Sequence, residues 1–235
     1  MNCAKCGAEV PDRSDYCPSC GDRADRGSSL KASDIVQLFA DRFAEVRDEG
    51  YDAPCSGVKV RLRTLVNTML AGAFVALAES GFLNLTKAQK KGLFTKSDVV
   101  QISVLDASKA SLAGIEKGLW DTLLANPTRT TAGEIVRRLV GQKTMEPFST
   151  VTGLSIENAR AAGYYRQLEQ MSVAVRAMAG KTIPVPLAPI CDRIASLSGR
   201  ADEVKRMLDR FEAANPEVYK LLHSEVDRTI QSVYR

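Results

Sequence analysis

Histidine is all but missing from this chain: His223 is the only one in 235 residues. That excludes multi-histidine metal sites and leaves one imidazole for any acid–base role. His223 falls beside Leu222 in an expected helix, without an acidic or cysteine partner at motif spacing, and reads as a surface or half-buried residue. Long apolar runs are missing too. The longest, MLAGAFVALA from Met69 to Ala78, is about half of what crosses a bilayer and reads as a buried helix. There is no glycine-rich phosphate loop, since VGQK and AGKTIP are only fragments of one. The net charge of +4 is small and mixed in sign, and argues neither for nor against a nucleic-acid or anionic-membrane partner. Residues 1–20 lack the apolar region of a secretory signal. Together with the cysteine spacing described next, this points to a reducing compartment. The expected location is cytoplasmic, with peripheral contact to a membrane left open. No set of acid, base and nucleophile is visible, so no enzymatic activity is expected and no small-molecule substrate is evident.

What is present begins at once. CAKCGAEVPDRSDYCPSCG holds Cys3, Cys6, Cys17 and Cys20, four of the six cysteines, in two C-x-x-C-G knuckles. Two thiolates three positions apart both reach one ion when the chain turns tightly, and Gly7 and Gly21 let the backbone fold back towards the sulfurs. Four sulfurs at this spacing suit a closed tetrahedral Zn2+ site with no position for substrate. Residues 1–26 resemble the short zinc-ribbon module, two short strands around one structural Zn2+. Four-thiolate iron, as in rubredoxins, and a redox pair are the competing readings. So small a module has no core of its own, so metal binding supplies much of its folding energy. Its four basic residues face five acidic ones, and a zinc tetrathiolate adds two further negative charges. Such a module is better suited to a protein partner than to nucleic-acid phosphates.

Residues 27–33 read as a flexible linker and 34–182 as a helical domain, with 183–235 as further helices on or beside it. Ser33 is a candidate cap for a helix over 34–49, in which Ile35, Phe39, Phe43 and Val46 recur at helical spacing and Gly50 closes the end. YDAPCSG is expected as a loop, and Cys55 and Cys191 as ordinary thiols. A helix from about Arg61 to Ser80, apolar on nearly every side, is the expected centre of the core, ended by Gly81. FLNLT and VVQISV alternate as strands, giving a hairpin within 82–104 whose loop runs over 87–98. Helix, strand, basic loop and strand in that order read as winged-helix-like. Further helices follow: one lined by Leu112, Ile115, Leu119, Trp120 and Leu123, and one capped by the Thr131–Glu134 box. A long helix over 156–180 capped by Ser155 comes next, and its role in dimerisation is left open. A proline-rich connector then leads to helices near 189–198, 201–214 and 216–233, the last with Asn215 as cap and Pro216 at its first position. The fold class is therefore mainly α, with a tethered zinc ribbon and one small hairpin.

The most suggestive surface is TKAQKKGLFTKSD. Lys87, Lys90, Lys91 and Lys96 surround Leu93 and Phe94 there. A basic loop with an apolar tip suits an anionic bilayer, at roughly 1 kcal/mol per lysine near the surface, and the same lysines suit phosphates as the wing of a DNA-binding unit. Alternatively, Leu93 and Phe94 start the second strand and face inward.

Residues 66 to about 160 resemble the Golgi phosphoprotein 3-like family. LAGAFVALAESGFLNL is similar to that family's helix ending in ELALRGRL. LWDTLLANPTRTTAGEIVRRLVG and MEPF follow the order of its later helices, and NAR at 158–160 is similar to its NVR. The resemblance implies a peripheral membrane protein binding anionic lipid headgroups, with Arg160 as the one residue carried over. Glu157 and Ala162 stand where the family has arginines, and DAPCSG where it has a tryptophan. The function expected is that of a non-catalytic zinc-ribbon adaptor or regulator acting on a protein partner. Nucleic acid is a further partner through the basic loop, and the membrane-binding role is the alternative.

Overall fold

The structure, a computed structural model, describes Ser19 and residues 30–91, 96–106, 112–125, 130–141, 146–167 and 187–233. In chain order the described elements are α1 (Ala32–Leu38), α2 (Ala40–Phe43), β1 (Val46–Asp52), β2 (Lys59–Val60), α3 (Leu62–Glu79), β3 (Leu83–Lys91), β4 (Lys96–Val104), α4 (Gly114–Leu124), β5 (Thr130–Thr131), α5 (Ala132–Val140), α6 (Pro147–Ala161), β6 (Tyr165–Gln167), β7 (Leu187–Pro189), α7 (Cys191–Ala195), α8 (Ser198–Ala214) and α9 (Pro216–Val233). The fold is mainly helical with small antiparallel sheets.

The apolar sequence of α3 puts it at the centre. Leu65, Val66, Met69, Leu70, Ala73, Phe74 and Leu77 are all buried, and α1, α4, α6, α8 and α9 pack around it. By length and composition α3 is also apolar enough to cross a membrane, but most of it is covered by neighbouring helices, the condition of a core helix. The core extends without a break to Leu222, Val226, Ile230 and Val233, so the C-terminal helices share it. Leu30 is 3% exposed, so the body begins inside the segment expected as linker.

Two expected helices are differently built. The helix expected over 34–49 stops at Phe39, resumes for one turn and gives way to β1. Val46 is 60% exposed, so its place in the helical pattern has no core to meet. Gly50, at φ +148°, lies where a Cβ would come 2.3 Å from the Val60 carbonyl oxygen, an approach that strand pairing with Lys59–Val60 requires and only glycine allows. Ser33 is not the cap: Lys31 holds that position, and Ser33 bonds Glu116. The helix expected over 156–180 instead runs Pro147–Ala161, with proline at its first turn and Gly163 at φ +80° just past its end. Ser155 is buried in its middle. Residues 168–186, which hold the rest of that expectation, lie outside the described residues.

The hairpin is present but longer than expected. β3 and β4 pair without interruption from Leu83↔Val104 to Lys91↔Lys96, so much of the expected loop is strand. β5 adds to β4 through Gln101↔Thr131 and Ile102↔Thr130. Thr131 then caps α5, with Glu134 returning the bond, as its sequence motif requires.

Candidate functional site

The four cysteines expected as zinc ligands, Cys3, Cys6, Cys17 and Cys20, lie outside the described residues. Among the described residues no group of three or more His, Cys, Asp or Glu side chains is placed to hold a metal ion.

Alternation decides what the hairpin presents. Leu83, Leu85, Val100 and Ile102 share one face and are buried at its base. Further out, the same register positions become Lys87, Gln89 and Asp98, and finally Lys91 opposite Lys96. The lysines nearer the base are paired. Lys87 Nζ lies 3.2 Å from Asp98 and 3.1 Å from Glu217 on α9. Lys90 Nζ lies 2.6 Å from Glu134 on α5. Burial works to raise the Glu134 carboxyl, but the bonds from Lys90 and the Thr131 backbone outweigh it and hold it below the usual carboxylate range. Lys96 is exposed at the start of β4. Leu93 and Phe94 lie outside the described residues. Arg160, on α6, pairs with Glu157 of its own helix at 2.7 Å rather than joining the hairpin lysines.

Cys55 and Cys191 are not free thiols: a disulfide joins them, with Cα atoms 5.4 Å apart. It ties the β1–β2 turn to the first residue of α7, across 136 positions of sequence. Beside it opens a groove of about 590 Å3 lined by Tyr51, Ala53, Pro54, Ile156, Tyr165 and Leu187. Gln37 Nε2 donates to both the Tyr51 and Tyr165 hydroxyls. Burial raises both phenols above their ordinary pKa.

A buried polar seam joins α1, α4 and α6. Asp34 accepts the Lys31 N–H at 2.8 Å, the Ser155 hydroxyl at 2.8 Å and the Asn158 amide. Glu116 accepts the Ser33 N–H at 3.0 Å and its hydroxyl at 2.5 Å. Burial, and then the nearby charge of Asp34, push the Glu116 carboxyl up to about 7. Burial also raises Asp34. These carboxylates satisfy the orphan donors at the start of α1, so their chemistry is that of a helix cap. Gly114, at φ +56°, lets α4 begin close against Asp34, since a Cβ there would come 3.2 Å from Oδ1.

Sequence reasoning missed this seam because its members are far apart in the chain and each carboxylate alone resembles a solvated one. His223 has no acidic partner at a motif spacing, yet Asp227, one turn on, lines the same pocket. That spacing of four was the available signal.

These features define a mainly helical protein with a charged antiparallel hairpin and a disulfide-tied groove. No family model matches the chain, and no curated protein or solved structure matches it either.

Proposed function

We propose that the protein is a non-catalytic adaptor. A structural zinc ribbon at residues 1–26 contacts a protein partner, while the tip of the β3–β4 hairpin rests on an anionic lipid surface. The observation that carries the second half is the register Lys91↔Lys96. That register places two lysine positions at the far end of the hairpin, a place where an anionic surface favours cationic residues. Lys87 and Lys90 are already neutralised by Glu217, Asp98 and Glu134, which leaves a small cationic footprint for displacing counterions from nucleic acid. The sequence between the tip lysines, GLFT, adds Leu93 and Phe94, apolar residues that favour a bilayer over a phosphate backbone. The absence of catalysis rests on the absence of a nucleophile–base set in the sequence and on the capping bonds that engage Asp34 and Glu116.

Vesicle flotation tests the reading. The full chain is expected to float with vesicles containing phosphatidylserine and not with phosphatidylcholine alone, and Lys91→Glu with Lys96→Glu should abolish flotation. A salt-dependent shift of duplex DNA without flotation would replace the lipid reading with the nucleic-acid one. Neither response would remove the hairpin from the function, leaving the ribbon to be tested by pull-down with and without residues 1–26.

A further inference from the structure

The Cys55–Cys191 disulfide lies where a reagent can reach it. Both of its residues are exposed, and neither belongs to the buried clusters that form the core. Exposed bridges are the ones that thiols reduce most readily. Cys55 is also the only non-glycine residue among those described with a left-handed backbone, at φ +67°. A residue with a Cβ adopts that conformation at a cost, so the bridged turn is held in a state that its own chain disfavours.

Each end of the bridge is anchored without it. In the β1–β2 turn the Ala53 N–H donates to the Val58 carbonyl at 2.8 Å, and the Gly57 N–H to the Ala53 carbonyl at 3.3 Å. On the other side, Ile194 of α7 and the following Leu197 are buried in a small core with Ile35 and Leu38 of α1. The Ile190 N–H, just before α7, donates to the Tyr164 carbonyl at 2.9 Å. Opening the disulfide therefore leaves both ends in place and severs only the connection between them.

That connection borders the groove of about 590 Å3, which Cys55 itself lines. The turn contributes Ala53 and Pro54 to the lining, and β7, which ends just before α7, contributes Leu187 and Pro189. The buried Gln37 joins the same two sides by hydrogen bonds, to the Tyr51 hydroxyl of β1 and, at 3.1 Å, to the Tyr165 hydroxyl of β6. The groove thus has a lasting tie at Gln37 and a breakable one at the disulfide. We propose that Cys55–Cys191 is a reversible redox switch, opened by a dithiol reductant, that frees the β1–β2 turn from α7 and loosens the rim of this groove. A thiolate of the dithiol attacks one bridge sulfur, forms a mixed disulfide and releases the other cysteine as a thiolate. The second thiolate of the dithiol then closes on the first and releases the remaining cysteine. The dithiol leaves as its own disulfide, and the protein gains two electrons and two protons as two thiols.

The test equilibrates the full chain, without denaturant, in buffers of reduced and oxidised dithiothreitol. Thiols are alkylated and assigned by peptide mass spectrometry, which separates Cys55 and Cys191 from the other four cysteines by position. The two should convert together and reversibly, as one two-electron couple, while circular dichroism shows the helical body still folded. In the reduced protein, amide exchange over residues 53–58 should speed up at least about tenfold, while α3 stays protected. Cys191→Ser without reductant should show the same local change. A pair that resists the dithiol until denaturant is added would make the bridge purely structural and overturn the proposal. So would unchanged exchange in the turn after reduction, or exchange that rises equally in α3.

Discussion

The Glu225 carboxylate on α9 accepts the Gly133 N–H at the start of α5 at 2.8 Å. Its other oxygen accepts the Val100 N–H of β4 at 2.7 Å. One buried side chain thus ties the last helix to both the sheet and a helix terminus. Gly133 is needed for the approach, since a Cβ there would come 2.7 Å from Thr229 Oγ1 and 2.9 Å from Glu225 Oε1. Glu225→Ala should cost about 2–5 kcal/mol, because two buried donors lose their acceptor. Glu225→Gln keeps one acceptor oxygen and should cost less. Urea unfolding of the three proteins checks the order, and equal stabilities would show that the brace contributes nothing.

Glu116 predicts a pH dependence with a definite sign. Its folded pKa, about 7, lies above the ordinary 4.5, so the folded state holds a proton that the unfolded chain has released. The stabilising effect of that proton is complete below pH 4.5 and fades as pH rises to about 7. The decline attributable to Glu116 is about 3 kcal/mol across this window. Asp34, also raised, adds a loss of the same sign. Glu116→Gln should flatten the slope, since a glutamine oxygen still accepts the Ser33 N–H and its amide donates to the hydroxyl. A slope unchanged in the variant would assign the effect elsewhere.

At the hairpin tip, function and stability should move in opposite directions. Lys96→Glu turns the Lys91↔Lys96 position from a like-charged into an opposite-charged pair. Cross-strand pairs of this kind are worth roughly 0.2–1 kcal/mol, so the variant should be slightly more stable. The same substitution should reduce association with anionic vesicles. Loss of both stability and flotation would instead indicate a damaged hairpin.

Local signals in the sequence match the structure where burial agrees with them. The apolar α3, the Thr131–Glu134 box and the Pro216 start of α9 each depend on neighbours within a few residues, whereas the Asn215 amide, expected to cap α9, donates to the Phe211 carbonyl of α8. The expectations that the structure corrects involve distant partners. Ile35, Phe39, Phe43 and Val46 keep helical spacing, yet Gly50 must approach Val60, and the segment after Phe43 becomes a strand. Ser155 has the chemistry of a cap, but Asp34 takes its hydroxyl from 121 positions away. Lysines that spacing grouped in one loop are divided by the strand register, with Lys87 facing α9 and Lys90 facing α5. Nothing in a linear pattern records such pairings.

Counting thiols tests the two kinds of cysteine together. The chain has six, and Cys55 and Cys191 are joined by the disulfide. With the other four on a structural zinc ion, protein prepared without reductant should show almost no reactive thiol and about one zinc per chain. Chelator should release the metal and expose four thiols, because the ribbon has no core to hold it folded. The remaining pair should react only after reduction. Two reactive thiols before chelation would show that Cys55 and Cys191 are unpaired, whereas six would remove the metal site as well. Cys191→Ser should lower stability by about 2–4 kcal/mol, since the bridge closes a loop spanning 136 positions, and leave the zinc content unchanged. Cys3→Ser should do the reverse, losing the metal while the melting of the helical body stays where it was. Among the described residues the helical core includes Leu30 and the residues that follow it, and the two modules are expected to respond independently.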